Sequence, residues 1–527
     1  MGRRNRSDSK PDVFALASQY SFTDLALQLA AFHFYNNQPA YLLPCPRTLR
    51  LLVDRAGVTG KRKVTSNLAL RILEGIQREY GPAQRAEALG REQKTENARP
   101  ASDRGIVDVI PEETSMGEAA QDISNPGTPG QMLVYSLERY GPHSDLLMKH
   151  FRFLIEDLCR TVRLVHFHIE QILGPLLTER MAGLVSSGRT PHGRRLDTPP
   201  RGFLEAYEKA VVFTSDDVQR IEEHVGAKGC IEFLAGVPAH FSSRDDSFAR
   251  WAFASRPDSR LQLLVPWTLA ETATSSVHLA LLSKLDPQEK GAYGRSLGSR
   301  FEMLVGNLFR RHYPGIRVDQ RRRFPGQLGD TDLLVEIDDN AWVLIQCKGR
   351  ALRPEGRWGR QITYKADFDR NVSEAADQAR EALAAIGNER RIVSVFIVLD
   401  AYFAGVTAYS HASGAVAKAL HGLPKPLVLV YYDLDYLLRH VGRNVLFSFL
   451  EWRETLLRTG RFYLTDEFDV VRLYLRRLEF PQGLFERLEF NLNFIGFDRD
   501  FQALTLAELD GRLFPDGGRD FRRLAGA

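Results

Sequence analysis

The segment TDLLVEIDDNAWVLIQCKG (331–349) admits few folds. Two short runs rich in Val, Leu and Ile flank Asp338-Asp339-Asn340. Asp and Asn tolerate left-handed backbone and hydrogen-bond their own main chain, so this trio suits a tight reversal between antiparallel strands. Further β-rich runs surround the hairpin: IRVDQRRRF before it, RIVSVFIVLD and PLVLVYYDL after it. Helical stretches intervene, notably SEAADQAREALAAIG. Strands mixed with helices predict an α/β domain over 290–440 built on a central mixed sheet.

The rest of the chain reads differently. With 527 residues it is too long for one core, and several domains are expected. Residues 1–85 carry apolar positions at helical spacing, as in FTDLALQLAAFHF and LALRILEGIQREY, and predict a helical N-terminal domain. Residues 86–130 are poor in large apolar side chains and rich in Pro, Gly, Ser and Glu. Such a segment buries too little surface to offset its ordering entropy and is read as a flexible linker. Helical periodicity returns over 131–289, with HSDLLMKHFRFLIEDLCRTVRLVHFHIEQILGPLL as one long segment, and DPQEKGAYG (286–294) is read as the boundary. Residues 441–527 look mostly helical, then irregular.

Composition excludes some classes. No stretch reaches about 18 consecutive apolar residues, which argues against a membrane span. MGRRNRSDSK has no apolar run behind it and is not a secretory signal. Cys45, Cys159, Cys230 and Cys347 are too scattered for a zinc pair and are expected as reduced thiols in the cytoplasm. The formal net charge is only +4, so any nucleic-acid contact rests on local clusters of basic residues.

The chemistry gathers on one face of the hairpin. If residues 338–340 form the loop, Asp332 stands opposite Gln346, with Cβ atoms about 4.5–5.5 Å apart. Lys348 lies two residues further along that face. Mg²⁺ takes hard oxygen ligands, and Asp332, the Gln346 amide oxygen and the Cys347 carbonyl would supply them. Lys348 would orient an attacking water and stabilise phosphate charge. Glu336 lies about 13 Å along the strand from Asp332 and is excluded. In SRFEMLVGNLFRR, Phe301, Leu304, Val305, Leu308 and Phe309 form an apolar stripe. Glu302 falls at its rim, where an acid reaches a cleft while its helix stays packed. Asp330 is a weaker candidate, just ahead of its strand.

The order Gly298-x-x-Phe301-Glu302, Gly329-Asp330-Thr331-Asp332 and Gln346-Cys347-Lys348 resembles the PD-(D/E)XK nuclease superfamily. The following helix, with Gln378 in AADQAREAL, resembles the Mrr-like restriction endonuclease branch. The resemblance covers about 150 residues, by a reading of boundaries from sequence alone. It implies a restriction-endonuclease-like fold and Mg²⁺-dependent hydrolysis of DNA phosphodiesters, with Mn²⁺ as a substitute. It carries Glu302, Asp332, Gln346 and Lys348 over as catalytic residues. Gln346 departs from the pattern, because many members have an acid there. A large helical half joined to such a domain suggests, by analogy, defence against foreign DNA in bacteria.

Weaker signals remain. Arg321, Arg322 and Arg323 precede the hairpin and would contact DNA phosphates. The alternative is a charged edge strand that blocks edge-to-edge pairing. The basic loop 349–365, starting with Arg350 and holding Trp358, either lies over nucleic acid or is a surface loop. LRLLVDRAGVTGKRKVTSNLALRILEGI would form helix–turn–helix, with Gly57 in the turn and Lys61, Arg62 and Lys63 near phosphates, though packed helices are the commoner explanation. His166 and His168 are two apart on a helix and are read as structural. The helical N-terminal half is expected to bind a protein partner or a second copy. Two other classes stay open: an inactive nuclease fold that only binds DNA, and a scaffold or sensor acting through its helical half.

Overall fold

The computed structural model describes residues 12–36, 48–49, 51–52, 56, 60–80, 127–186, 198–235, 252–323, 331–349, 366–367, 369–386, 391–398, 420–424, 426–458, 462–464, 467–476, 490–492 and 499–515. The linker expected at 86–130 lies outside them up to residue 126, as do Cys45, Gly57, Gly329, Asp330, Arg350 and Trp358. The chain forms two compact units. One comprises Met1–Ala88, His143–Ala280 and Gly511–Ala527, the other Leu89–Pro142 and Leu281–Asp510. The helical middle segment is therefore shared between units, and residues 127–142 belong with the sheet. Among the described residues no helix is long and apolar enough to cross a membrane.

The first unit is mainly helical, with helices Phe22–Tyr35, Ser66–Tyr80, Ile155–Ser186, Arg201–Val211 and Ser215–Val225. The long helix expected from His143 onward is broken. Arg152 adopts a left-handed backbone (φ 67°), and the chain restarts at Ile155, where Asp157 Oδ2 accepts the Leu154 N–H at 2.9 Å. A small antiparallel sheet, with Leu261–Leu263 between Val212–Phe213 and Phe253–Ser255, departs from the all-helical expectation. Strands of two or three residues leave no periodicity to read. Gln262 in its centre is fully buried and is satisfied by Thr23 and Arg256. His166 is buried and pulled down to about 4 by that burial, and His168 packs against Phe213. Lys61, Arg62 and Lys63 are exposed ahead of helix Ser66–Tyr80.

The second unit is built on a five-stranded mixed sheet. Its elements run α1 (Pro129–Tyr140), α2 (Pro287–His312), β1 (Arg317–Arg322), β2 (Thr331–Asp338), β3 (Ala341–Lys348), α3 (Glu374–Ile386), β4 (Arg391–Val398), β5 (Leu427–Val430) and α4 (Tyr431–His440). The strands lie in chain order, antiparallel from β1 to β3 and parallel from β3 to β5. Residues 286–294, read as a boundary, hold the start of α2, a few residues after the units divide between Ala280 and Leu281. Asp286 caps the helix and forms a capping box with Glu289, and Pro287 occupies the first turn, where its missing N–H costs nothing. PLVLVYYDL is strand only over Leu427–Val430, and the helix α4 begins at Tyr431.

Side chains on β2 and β3 alternate, and both faces are buried. Leu334, Trp342 and Leu344 form one cluster with Ala375, Ala376, Ala379 and Ala382 of α3. Small alanines let that helix approach the sheet closely. Leu333, Val335, Val343 and Ile345 fill the other face, and α2 packs against β1, β2 and β3. The predicted stripe of α2 (Phe301, Leu304, Val305, Leu308 and Phe309) is buried throughout. Beyond the sheet, helices Leu446–Arg458, Glu467–Arg476 and Arg499–Leu513 follow, with a two-stranded parallel sheet of Phe462–Leu464 and Phe490–Leu492.

Candidate functional site

The β2–β3 ladder runs Leu333↔Ile345, Leu334↔Leu344, Val335↔Val343 and Glu336↔Trp342. That is the predicted register, reached through a different turn. Asp338 pairs with Ala341 after a register shift, which leaves Asp339-Asn340 as the reversal. Asp338 Oδ1 accepts the Asn340 N–H at 2.8 Å, so an Asx-type bond tightens the loop the sequence reading made one residue longer. Extending the ladder one residue past Leu333 sets Asp332 opposite Gln346.

Asp332 is held from below by β3: its Oδ2 accepts the Cys347 N–H at 2.7 Å. Burial pushes its carboxyl up to about 6, the nearby Glu302 charge adds to the rise, and the Cys347 N–H, Lys348 and Arg321 oppose it. Asp332, Glu302 and Lys348 also act on the buried Cys347 thiol, which burial drives far above its usual range. The structure thus brings Asp332, Glu302, Lys348 and Cys347 into one electrostatic neighbourhood. Lys348 Nζ donates to Gln378 Oε1 of α3 at 2.9 Å, which fixes the ammonium at the open end of the hairpin.

Gln346 is the odd member. Its side chain is fully buried, and neither Oε1 nor Nε2 has a partner among the described residues. A buried amide without partners is costly, and a water, an ion or a catalytic role are the ordinary explanations for one. Glu302 sits at the rim of the α2 stripe, as expected, with its side chain 19% exposed. Its Oε2 accepts a bond from Arg321 Nε at 3.0 Å.

The three arginines at the β1 end divide. Arg321 turns toward α2, where it meets Glu302 and Ser299. Arg322 is committed elsewhere, bonding Asp319 at 2.6 Å and lying over the Trp342 ring. Arg323 is exposed past the strand end. Glu336 pairs with Arg317 and Arg322, away from the site, as its exclusion anticipated.

One residue of the neighbourhood escaped the sequence reading. Arg139 of α1 is 1% exposed. It donates from Nη2 to the Gly349 carbonyl at 2.7 Å and from Nη1 to the Tyr135 hydroxyl. Its guanidinium lies 5.5 Å from the Tyr135 ring centre and 5.7 Å from that of Phe301. It therefore pins the residue after Lys348. Gly349 itself passes so close to α2 that a Cβ would come within 3.0 Å of Phe301. A partner 210 residues away leaves no local signal.

Among the described residues no three His, Cys, Asp or Glu side chains cluster to hold a metal ion. The site offers two carboxylates, from Asp332 and Glu302, beside a neutral amide. No family model matches the chain, and neither does any curated protein or solved structure.

Proposed function

We propose that this corner of the sheet is a metal-dependent nuclease centre acting on DNA, of the PD-(D/E)XK type with a restriction-endonuclease-like fold. The observation that carries the reading is Gln346: a buried amide with no partner among the described residues, next to an acid whose carboxyl is pushed up by burial. A hard cation between them would take the Gln346 Oε1 and the Asp332 carboxylate as ligands, leaving the amide N–H to an acceptor such as water. The residues present fit such a group: Asp332 and Glu302 would supply charge, with the Gln346 oxygen and the Cys347 carbonyl as neutral ligands. Mg²⁺ there, or Mn²⁺ in its place, would polarise a phosphate oxygen and lower the pKa of a water.

The chain's own groups do the rest. Lys348, steered by Gln378, keeps further N–H donors for a phosphate oxygen or an attacking water. The Cys347 N–H holds the Asp332 carboxylate in one orientation. Arg139 keeps the end of β3 from drifting, which preserves the Lys348 position. Arg321 and Arg323 offer positive charge toward a phosphate backbone.

The test is cleavage of plasmid and linear duplex DNA with Mg²⁺ or Mn²⁺. Activity is expected in the wild type, lost in Asp332→Ala and Lys348→Ala, and kept within about twofold in Glu336→Gln, whose ion pairs to Arg317 and Arg322 are long and lie away from the site. Intact DNA with both metals would refute the enzyme reading. The neutral Gln346 and the lack of a third acid among the described residues favour one second reading, an inactive fold that binds DNA. It predicts binding without cleavage, and activity gained in Gln346→Glu.

A further inference from the structure

β1 carries Arg317, Arg321 and Arg322, and Arg321 is joined to the site residue Glu302. At Arg321 the backbone leaves extended geometry for the left-handed region (φ 50°), an uncommon state for a residue with a long side chain. The β1–β2 ladder pairs Gln320 with Leu333 and Arg322 with Thr331, so Arg321 stands across from Asp332. The turn swings its guanidinium off the sheet edge onto α2. There Nε bonds Glu302 Oε2 at 3.0 Å and Nη2 bonds Ser299 Oγ at 2.5 Å. More than half of the Arg321 side chain is exposed, at 55%, whereas Glu302 is only 19% exposed.

A guanidinium at a site mouth is a fork for two oxygens, whether of a carboxylate or of a phosphate. Here the carboxylate it holds is one that a cation in the site would need. We propose that Arg321 is a phosphate-binding latch parked on Glu302: a DNA phosphate displaces Glu302 from the guanidinium, and the freed carboxylate then turns to the cation. Duplex DNA and metal would thus bind with positive coupling, since each removes the partner that opposes the other. This inference rests on the nuclease reading of the same site and adds to it an order of events.

Two measurements test it without cleavage. The first is binding of a fluorescent duplex oligonucleotide by anisotropy, in chelator, for wild type, Glu302→Gln, Arg321→Gln and the double variant. Glu302→Gln should tighten binding about two- to fivefold, the worth of one exposed ion pair, and should do so only where Arg321 is present. An equal gain in the Arg321→Gln background means simple loss of negative charge and overturns the latch. The second is Mn²⁺ binding without DNA, by titration calorimetry. Arg321→Gln should bind Mn²⁺ more tightly than wild type, because Glu302 is already free. Unchanged or weaker binding overturns the latch. A wild type that binds neither duplex nor Mn²⁺ removes the nuclease reading itself, and the latch with it.

Discussion

Replacing Gln346 by leucine should make the protein more stable and inactive. Leucine nearly matches glutamine in volume and has no polar atoms. In the metal-free protein the Gln346 amide is fully buried, and neither of its polar atoms meets a partner among the described residues. An unsatisfied buried polar group costs about 1–3 kcal/mol. A volume-conserving swap in a packed core costs less than about 1.5 kcal/mol. Those two ranges combine to a balance centred near about 1 kcal/mol in the variant's favour. At about 2–4 °C per kcal/mol for a unit of this size, the sheet unit's melting transition should rise by roughly 2–4 °C in chelator.

Mg²⁺ should then reverse the order. A cation that binds only the native state stabilises the wild type by mass action, while the leucine variant lacks a ligand and gains less. The assay is thermal unfolding by circular dichroism with chelator and with Mg²⁺, beside plasmid cleavage. A variant that melts below wild type in chelator would show that the amide is satisfied in the native protein. Cleavage at wild-type rate by the variant would remove Gln346 from the chemistry. Either result breaks the argument that the orphaned amide marks the site.

Three further outcomes follow from the same corner. Asp332, raised to about 6 mainly by burial and then by Glu302, holds its proton more tightly folded than unfolded. The stability from that proton is complete below the ordinary value of 3.8 and is lost as pH rises through about 6. Urea unfolding of the metal-free protein between about pH 5 and pH 7.5 should therefore show a fall in stability that Asp332→Asn abolishes, and a flat wild-type profile would contradict it. Arg139→Met should lower kcat by about 10–100-fold, the range for groups that orient site residues, with DNA affinity unchanged. Steady-state kinetics read this, and a loss in KM alone would assign Arg139 to binding. Gln346→Glu should deepen the requirement for metal: in chelator it melts lower than wild type, because a third acid joins Asp332 and Glu302, and saturating Mg²⁺ restores it. A melting temperature that Mg²⁺ leaves unmoved would count against a cation at this position.

The hairpin was legible because a period of two and a polar turn leave one register that buries the apolar set. The pairs from Leu333↔Ile345 to Glu336↔Trp342 follow from it. The turn was misread by one residue because Asp338, Asp339 and Asn340 are all good turn residues, and only the Asx bond to Asn340 decides among them. The α2 stripe placed Glu302 at its rim because helical period and burial are coupled. Arg321 was grouped with Arg322 and Arg323 because composition cannot show that one backbone turns left-handed while its neighbour bonds Asp319. Asp435 carries no signal in the sequence. It is a buried acid held by Gln131, His312 and Arg439, from elements far apart in the chain. Arg139 stayed invisible for the same reason: periodicity reports which face of an element is buried, not what it meets.

The costs and the braces of this unit meet at one end of the hairpin. An unpartnered amide at Gln346, an acid at Asp332 kept against its charge, and a left-handed arginine beside them each work against stability. Each could be removed by a single substitution that leaves the apolar core untouched. Yet the same end is fastened from three elements, by Arg139 to Gly349, by Gln378 to Lys348 and by the Cys347 N–H to Asp332. A fold that needed only to persist would have neither the strain nor the fastening there. Local strain held in place by surrounding order is what a site keeps when its groups must meet something absent from the bare chain. Strain and fastening at one corner together motivate the proposed site, and the Gln346 and Arg321 variants are its tests.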